Sequence, residues 1–191
     1  MTIHPTDVPD PTDVPDTTDV TVNVAEADDP TAALIFELTR RGLTIAVAES
    51  LTGGALAAEF IRIPGASVVV AGGIVAYQTE LKHTLLGVDP ALLSANGPVD
   101  PEVARQMAAG ARRRLTLGGR GADIGIATTG VAGPDPQGDR QPGTVYLGLS
   151  IGAESTAVLL ALTGDRAAIR AKTVRAAVEA VGGLIATIPT E

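Results

Sequence analysis

The serine at position 50 stands in a sequence context that suits nucleophilic chemistry. Ser50 follows an apolar run at residues 43–48, typical of a buried strand, and precedes an alanine-rich segment at residues 55–61 with helical spacing of its apolar residues. Gly53 and Gly54 end the turn between them. In an open α/β sheet such a turn lies at the carboxyl edge of the strands, where ligands bind. Free N–H groups there would face an anion, so Ser50 is a candidate nucleophile beside a candidate oxyanion hole.

The same turn has a purely structural interpretation. Serine and threonine are preferred N-cap residues, so Ser50 or Thr52 could do no more than accept a hydrogen bond from a helix N–H group. The turn does not match the G-x-S-x-G elbow of α/β-hydrolases, so that motif does not support the nucleophile. On this stretch alone, both interpretations stay open.

Lysine usage provides a candidate general base. Lys82 and Lys172 are the only lysines among 14 basic residues. Lysine can give up its proton whereas arginine cannot, and burial favours the neutral amine. With Thr79 as the N-cap of a predicted helix, Lys82 falls in the first turn, where the helix dipole disfavours a cation. Lys82 is therefore a candidate base, and a solvated surface lysine is the alternative.

Three further segments carry groups that suit a small polar ligand. Tyr77 could pass a proton between serine and amine, or simply be a half-buried strand tyrosine. The segment T-T-G-V-A-G-P, which contains Thr129 and Gly130, offers N–H groups to a phosphate or ribose, although it lacks a P-loop lysine. Arg166 opens the last predicted helix and could clamp a phosphate or carboxylate, or be solvated.

Composition excludes several classes of site. The chain has no cysteine, and its histidines are His4 and His83, so thiol chemistry and a cysteine- or histidine-rich metal motif are excluded. Residues 1–29 hold eight of the 22 acids and no lysine or arginine, while residues 30–191 balance 14 acids against 14 bases. Without a basic patch, nucleic acid is not an expected partner. No signal peptide or apolar stretch of membrane-spanning length is recognisable, so we expect no membrane association and a cytoplasmic protein.

The sequence predicts an acidic tail followed by one domain. Residues 5–10 read PTDVPD and are repeated at once, which leaves too little apolar surface for order, so residues 1–29 are predicted to be disordered. Alternating strands and helices followed by a hairpin predict an α/β domain with a mixed sheet over residues 30–191. The predicted helices are 30–41, 55–62, 79–86, 101–115 and 165–185, and the predicted strands are 43–48, 67–77, 122–127, 143–151 and 155–162.

Five ordered motifs resemble one known family. They are A-E-S-L-T-G-G, G-G-I-V-A-Y-x-x-E-L-K-x-x-L-L-G-V, T-G-V-A-G-P-D-P, G-T-V-Y and G-D-R-x-x-I-R, and they run in order from about residue 30 to residue 187. Together they resemble the CinA C-terminal domain family, whose characterised members are nicotinamide-nucleotide amidohydrolases (nicotinamide mononucleotide deamidases, PncC type). The acidic repeat is not part of the family pattern.

The resemblance implies a three-layer α/β/α domain with a mixed, mostly parallel sheet, and an amidohydrolase that needs no metal or cofactor. It places the nucleophile on Ser50, the base on Lys82 and an assisting tyrosine on Tyr77. We therefore expect hydrolysis of the carboxamide of nicotinamide mononucleotide to nicotinic acid mononucleotide and ammonia. N–H groups of the turn from Ser50 to Gly54 would hold the oxyanion. The candidate substrate contacts are Thr52, Gly53, Gly54, Thr129, Gly130 and Arg166.

Two other functions stay open beside this one. One is a non-catalytic nucleotide-binding or regulatory module that keeps the fold. The other is an amidase acting on a different small amide, because the size of the pocket cannot be read from the sequence. A small nucleotide is the expected partner, and a homodimer is the assembly that the resemblance implies.

Overall fold

A five-stranded sheet runs through the middle of the protein. The computed structural model describes residues 29–189, and the strands of these residues are β1 (Ile45–Glu49), β2 (Val70–Val75), β3 (Thr116–Leu117), β4 (Arg120–Gly121), β5 (Ile124–Gly130), β6 (Thr144–Ile151) and β7 (Glu154–Ala161). The sheet has the order β2-β1-β5-β6-β7. Strands β2, β1 and β5 are parallel, while β6 is antiparallel to both β5 and β7. Only β6 therefore runs against the others, and the predicted mixed, mostly parallel sheet is confirmed.

Helices cover both faces of this sheet. They are α1 (Pro30–Arg41), α2 (Ala55–Ile61), α3 (Thr79–Leu86), α4 (Pro90–Asn96), α5 (Pro101–Arg114) and α6 (Arg166–Ala186). Buried residues of α1, α2 and α6 pack in one core cluster, and buried residues of α3 and α5 pack in another. In β1, Ile45 and Val47 belong to the first cluster, whereas Ala46 and Ala48 belong to the second. This alternation gives the three-layer α/β/α sandwich, since successive strand residues face opposite sides.

Small residues let α5 lie directly against the sheet. A Cβ atom added to Gly125 of β5 would overlap the carbonyl oxygen of Ala108, and one added to Gly148 of β6 would overlap that of Ala104. A glycine inside a strand is typical of such a close approach of another backbone. The contact holds α5 against the central strands, in the same core cluster as α3.

The predicted helix ends agree with the structure at several places. Asp29 caps α1, with its carboxylate accepting from the N–H of Thr31 at 2.9 Å, and Pro30 occupies the first helical position. Gly42 ends α1 in the left-handed conformation. Helix α6 begins with Asp165 as its N-cap, one residue from the predicted start. These signals are local, which explains why the sequence was sufficient to locate them.

Other elements differ from the prediction. Helix α4 was not predicted, although Asp89-Pro90 is the same start signal as Asp29-Pro30. The short β3–β4 hairpin was not predicted either. The strand expected over 67–77 is shorter, because a 3-10 turn at Ala66–Val68 precedes β2. The N-cap of α3 is Gln78 rather than Thr79, which makes Lys82 the fourth helical residue instead of the third.

No helix within residues 29–189 is both long and apolar enough to cross a membrane. The predicted disorder of residues 1–29 falls, except for its last residue, outside the described residues.

Candidate active site

A cavity of about 290 Å³ opens at the carboxyl ends of the parallel strands. Ser50 follows the last residue of β1, Tyr77 lies two residues beyond β2, and Thr129 and Gly130 end β5. All four line the cavity, as does Arg166 at the start of α6. The site therefore lies at the sheet edge where ligands of open α/β folds bind, and parallel strands bring these distant segments together there.

Ser50 and Lys82 meet in this cavity. Lys82 Nζ donates a hydrogen bond to Ser50 Oγ at 3.0 Å and another to the carbonyl oxygen of Ala76 at 2.8 Å. The lysine is 1% exposed and the serine 8% exposed. Helix α3 carries the amine into the protein because Lys82 and Leu86 lie one turn apart on its buried side. The sequence alternative of a solvated surface lysine is therefore wrong.

Burial sets the protonation of Lys82. It lowers the pKa of the amine from the ordinary 10.5 to about 8, because desolvation disfavours the charged form. The salt bridges of residues 29–189 do not include Lys82, so no carboxylate of this part of the chain restores the charge. The expected contribution of the helix dipole is small, since Lys82 lies beyond the first turn of α3. A neutral amine within hydrogen-bonding distance of a serine is suited to general-base catalysis.

The N-terminus of α2 is satisfied by a glutamate rather than by the turn hydroxyls. The buried carboxylate of Glu49 accepts hydrogen bonds from the N–H groups of Gly54 at 3.0 Å, Leu56 at 3.1 Å and Ala57 at 2.9 Å. The N-cap of α2 is Gly54. The interpretation of Ser50 or Thr52 as a helix cap is therefore wrong, and the Ser50 hydroxyl is left to Lys82.

The turn offers fewer free N–H groups than expected. The N–H of Ser50 donates to the carbonyl oxygen of Thr128 at 3.0 Å, that of Gly53 to the carbonyl oxygen of Ser50 at 3.2 Å, and that of Gly54 to Glu49. Within residues 29–189, the N–H groups of Leu51 and Thr52 donate no hydrogen bond. These two remain as candidate oxyanion donors.

Three candidate substrate contacts lie away from the cavity. Thr52, Gly53 and Gly54 do not line it. Thr52 is fully buried and its hydroxyl shares a hydrogen bond of 2.8 Å with the hydroxyl of Thr128. Gly53 is exposed outside the cavity, and the N–H groups of Gly53 and Gly54 already donate to Ser50 and Glu49. The structure therefore does not bring Gly53 and Gly54 to the cavity lining, and of Thr52 only the N–H group stays a candidate contact, as an oxyanion donor.

Tyr77 does not stand between the serine and the amine. Its side chain is 56% exposed, and its hydroxyl accepts a hydrogen bond of 3.2 Å from Arg166 Nη2. Arg166 Nη1 also donates to the carbonyl oxygen of Gly133 at 2.9 Å. Because Lys82 contacts Ser50 directly, a proton relay through Tyr77 is not needed. Tyr77 and Arg166 instead form a polar wall of the cavity, and the half-buried strand tyrosine is also not observed.

Thr129 and Gly130 form another part of the wall. Thr129 is buried, and its hydroxyl donates to the carbonyl oxygen of Pro98 at 2.6 Å. Sequence reasoning missed several polar lining residues, namely Gln78, Thr79, Asp135 and Gln137. Gln78 and Thr79 were detectable as neighbours of Tyr77, whereas Asp135 and Gln137 lie in a long loop without a periodic signal. No group of histidine, aspartate and glutamate side chains in the described part of the chain is arranged to hold a metal ion.

Fold and site together define a class of protein. It is a three-layer α/β/α protein with a buried serine–lysine pair at the carboxyl ends of its parallel strands, an arrangement suited to nucleophilic chemistry. The chain belongs to the CinA C-terminal domain family, whose model matches residues 28–185.

Relatives of known sequence agree with this membership. A CinA-like protein from Frankia casuarinae is 46% identical over 165 residues, which are 85% of this chain and 37% of that protein. A CinA-like protein from Gemmatimonas aurantiaca is 42% identical over 156 residues, which are 81% of this chain and 35% of that protein. The chain thus spans somewhat more than a third of the length of these curated relatives.

Solved structures have the same fold. The CinA superfamily protein from Klebsiella pneumoniae 700603 superposes with a TM-score of 0.77 at 32% identity, over 83% of this chain and 97% of that one. The competence-damaged protein (CinA) superfamily protein from Escherichia coli gives a TM-score of 0.77 at 30% identity, over 81% of this chain and 88% of that one. The fold class is therefore established by structure as well as by sequence.

Proposed function

We propose that the protein hydrolyses the carboxamide of nicotinamide mononucleotide, giving nicotinic acid mononucleotide and ammonia. The observation that carries the proposal is the 3.0 Å hydrogen bond between Lys82 Nζ and Ser50 Oγ inside a cavity. A buried amine of lowered pKa beside a hydroxyl is the combination that serine/lysine hydrolysis requires. Membership of the CinA C-terminal domain family, together with the resemblance of the motifs to its amidohydrolases, selects the amide as substrate.

The first half of the reaction forms an acyl-enzyme. Neutral Lys82 takes the proton of Ser50 Oγ as the oxygen attacks the amide carbon. The N–H groups of Leu51 and Thr52 are the candidate donors to the oxyanion, and one such donor is typically worth about 2.7–4 kcal/mol. Protonated Lys82 then gives its proton to the departing nitrogen, the C–N bond breaks, and ammonia leaves.

The second half returns the enzyme to its starting state. Lys82, neutral again, takes a proton from a water molecule that attacks the acyl carbon. The bond to Ser50 Oγ breaks, the serine recovers its proton from Lys82, and the free carboxylic acid is released. One water is consumed and one ammonia produced, so the same pair of side chains serves both steps.

The remaining wall of the cavity suits a nucleotide. Its volume of about 290 Å³ lies at the small end of ligand sites, which favours a mononucleotide over a dinucleotide. Arg166 is an exposed guanidinium at its rim and is our candidate for the phosphate. Thr129 and Gly130 are the candidates for contacts to the rest of the substrate.

Ammonia release from nicotinamide mononucleotide by the purified protein tests the proposal. We expect Ser50→Ala to lower the rate by roughly 10⁴-fold or more, because the nucleophile is lost. Ser67→Ala is the matched control, since Ser67 is exposed in the 3-10 turn before β2 and should keep the wild-type rate. Circular dichroism of both variants checks that the fold is intact.

The assay also separates the alternatives. Equal rates for wild type and Ser50→Ala would rule out the assigned nucleophile. No turnover of any carboxamide, with nucleotide binding retained, would favour the non-catalytic module. Turnover of nicotinamide or its riboside in preference to the mononucleotide would favour an amidase with a different substrate.

A further inference from the structure

Arg170 contacts the turn that carries the nucleophile without lining the cavity. Its Nε donates to the carbonyl oxygen of Leu51 at 3.0 Å, and its Nη2 donates to the carbonyl oxygen of Thr52 at 2.6 Å. Arg170 lies one helical turn beyond Arg166 on α6, so both guanidinium groups come from the same face of the helix. A single side chain of α6 thus binds two consecutive peptide groups 118 and 119 residues away.

These two carbonyl groups determine where the N–H groups of the turn point. In a planar trans peptide, the carbonyl oxygen and the following N–H point in opposite directions. Holding the carbonyl of Leu51 therefore orients the N–H of Thr52, which donates no hydrogen bond within residues 29–189. Holding the carbonyl of Thr52 orients the N–H of Gly53, which closes the turn onto Ser50 at 3.2 Å.

The charge of Arg170 makes a simple capping role a poor explanation. Cations stabilise the carbonyl groups at helix C-termini, and they are disfavoured at N-termini. Arg170 instead places its guanidinium at the N-terminal side of α2, on carbonyls of the turn that leads into this helix. The Glu49 carboxylate, which accepts three N–H groups of the same segment, supplies the opposite charge. The anion holds the N–H side of the segment and the cation holds its carbonyl side.

We propose that Arg170 is a positioning residue for Ser50 and for the candidate oxyanion donors. It acts through the backbone of residues 51 and 52 and does not touch the substrate. The proposal rests on the proposed function, because it assumes that Ser50 is the nucleophile. The two hydrogen bonds of this guanidinium hold the turn in its reactive conformation, and the stability of the fold does not depend on them.

The rate at which an alkyl fluorophosphonate labels Ser50 tests this without the natural substrate. In the labelling step Ser50 Oγ bonds to phosphorus, the P–F bond breaks, fluoride leaves and Lys82 takes the proton. Intact-protein mass spectrometry measures the extent of labelling over time. We expect Arg170→Met to slow labelling by about 100-fold, as for a misplaced reactive group. Arg170→Lys, which keeps the charge but cannot hold both carbonyls in a fixed fork, should be intermediate.

Arg175→Met is the matched control, since Arg175 is exposed on the same helix and should leave labelling unchanged. The pH midpoint of labelling should also be the same in wild type and in Arg170→Lys, because Lys82, whose pKa sets the midpoint, stays buried in both. Wild-type rates in both Arg170 variants would overturn the proposal, as would a slow rate explained entirely by a shifted midpoint. If Arg170→Met unfolds, Arg170→Lys alone decides.

The outcomes for the two proposals differ. Labelling that depends on Arg170, without ammonia release from nicotinamide mononucleotide, would contradict the proposed substrate and retain the positioning role. Ammonia release, together with labelling at the same rate in wild type and the Arg170 variants, would support the proposed substrate and contradict the positioning role. A wild-type protein that is not labelled at Ser50 would overturn the positioning role and count against the nucleophile.

Discussion

The side chain of Lys82 lies where a positive charge is unfavourable. The amine is 1% exposed and its described partners are an uncharged carbonyl and an uncharged hydroxyl. The fold therefore bears a cost when the amine is protonated, and the same cost produces the neutral amine that a base requires. Burial of the amine is therefore the cause both of the destabilisation and of the neutral form that can act as a base at this residue.

The rate of ammonia release should rise with pH through a midpoint near 8. The rise follows from the lowered pKa of Lys82, because the neutral amine is the active form. Lys82→Met should remove both the activity and this midpoint, whereas Lys172→Met, at the exposed lysine of α6, should change neither. A pH–rate profile of kcat/KM makes the measurement, and a wild-type midpoint near 10.5 would contradict it.

The same pKa affects stability with a definite sign. Below about pH 8 the amine is protonated in both states, and the burial penalty is present in full. The penalty is relieved between pH 8 and 10.5, where the unfolded chain binds the extra proton. Relative to Lys82→Met, the wild type should therefore gain on the order of 3 kcal/mol in its free energy of unfolding across this interval, measured by urea denaturation.

At the scale of elements, the approach of α5 to the sheet is what sets the layers around the site. Gly148 of β6 and Gly125 of β5 provide the space in which the helix backbone lies. A strand with a larger side chain at either position would push α5 outward. Helix α3 packs with α5 in the same core cluster, so a displaced α5 would also disturb the segment that presents Lys82.

Gly148→Ala should therefore lower the free energy of unfolding by about 2–3 kcal/mol, because its Cβ would overlap the backbone of Ala104. Gly182→Ala, within α6, should instead raise it by about 0.5–1 kcal/mol, since no atom lies within 4 Å of the added Cβ and alanine favours the helix. Thermal or urea denaturation of the pair compares the two. An unchanged free energy of unfolding in Gly148→Ala would show that α5 can move enough to accommodate the added Cβ.

At the scale of the whole molecule, the candidate site is assembled from separate parts of the chain. Ser50 and Lys82 are 32 residues apart, and Tyr77 and Arg166 are 89 residues apart. The family model begins at residue 28, after the acidic repeat. The acidic repeat thus precedes the matched domain in the sequence.

A variant that lacks residues 1–28 should therefore keep its melting temperature and its rate of ammonia release. The deletion removes acidic residues but no residue of the family match beyond its first. Differential scanning calorimetry and the ammonia assay, run beside the full chain at equal ionic strength, make the comparison. A loss of more than about tenfold in kcat would assign the repeat a part in catalysis.

Much of the fold follows from local signals. The Asp-Pro start of α1, the glycine that ends it and the start predicted for α2 are decided within a few neighbouring residues. Helix α4 carried the same Asp-Pro signal at Asp89-Pro90 and was predictable. The start of β2 was not, because the 3-10 turn at Ala66–Val68 has the same apolar composition as a strand.

Residue type and short-range spacing were sufficient to predict the reactive groups and the order along the chain of the five strands that form the central sheet. The tertiary structure alone decided which groups meet. It joined Lys82 to Ser50, gave Glu49 the N–H groups at the start of α2, and left Gly53 outside the cavity lining. The physical reason is that such contacts depend on strand register and helix packing, which are set by the burial of the whole core and not by any one segment.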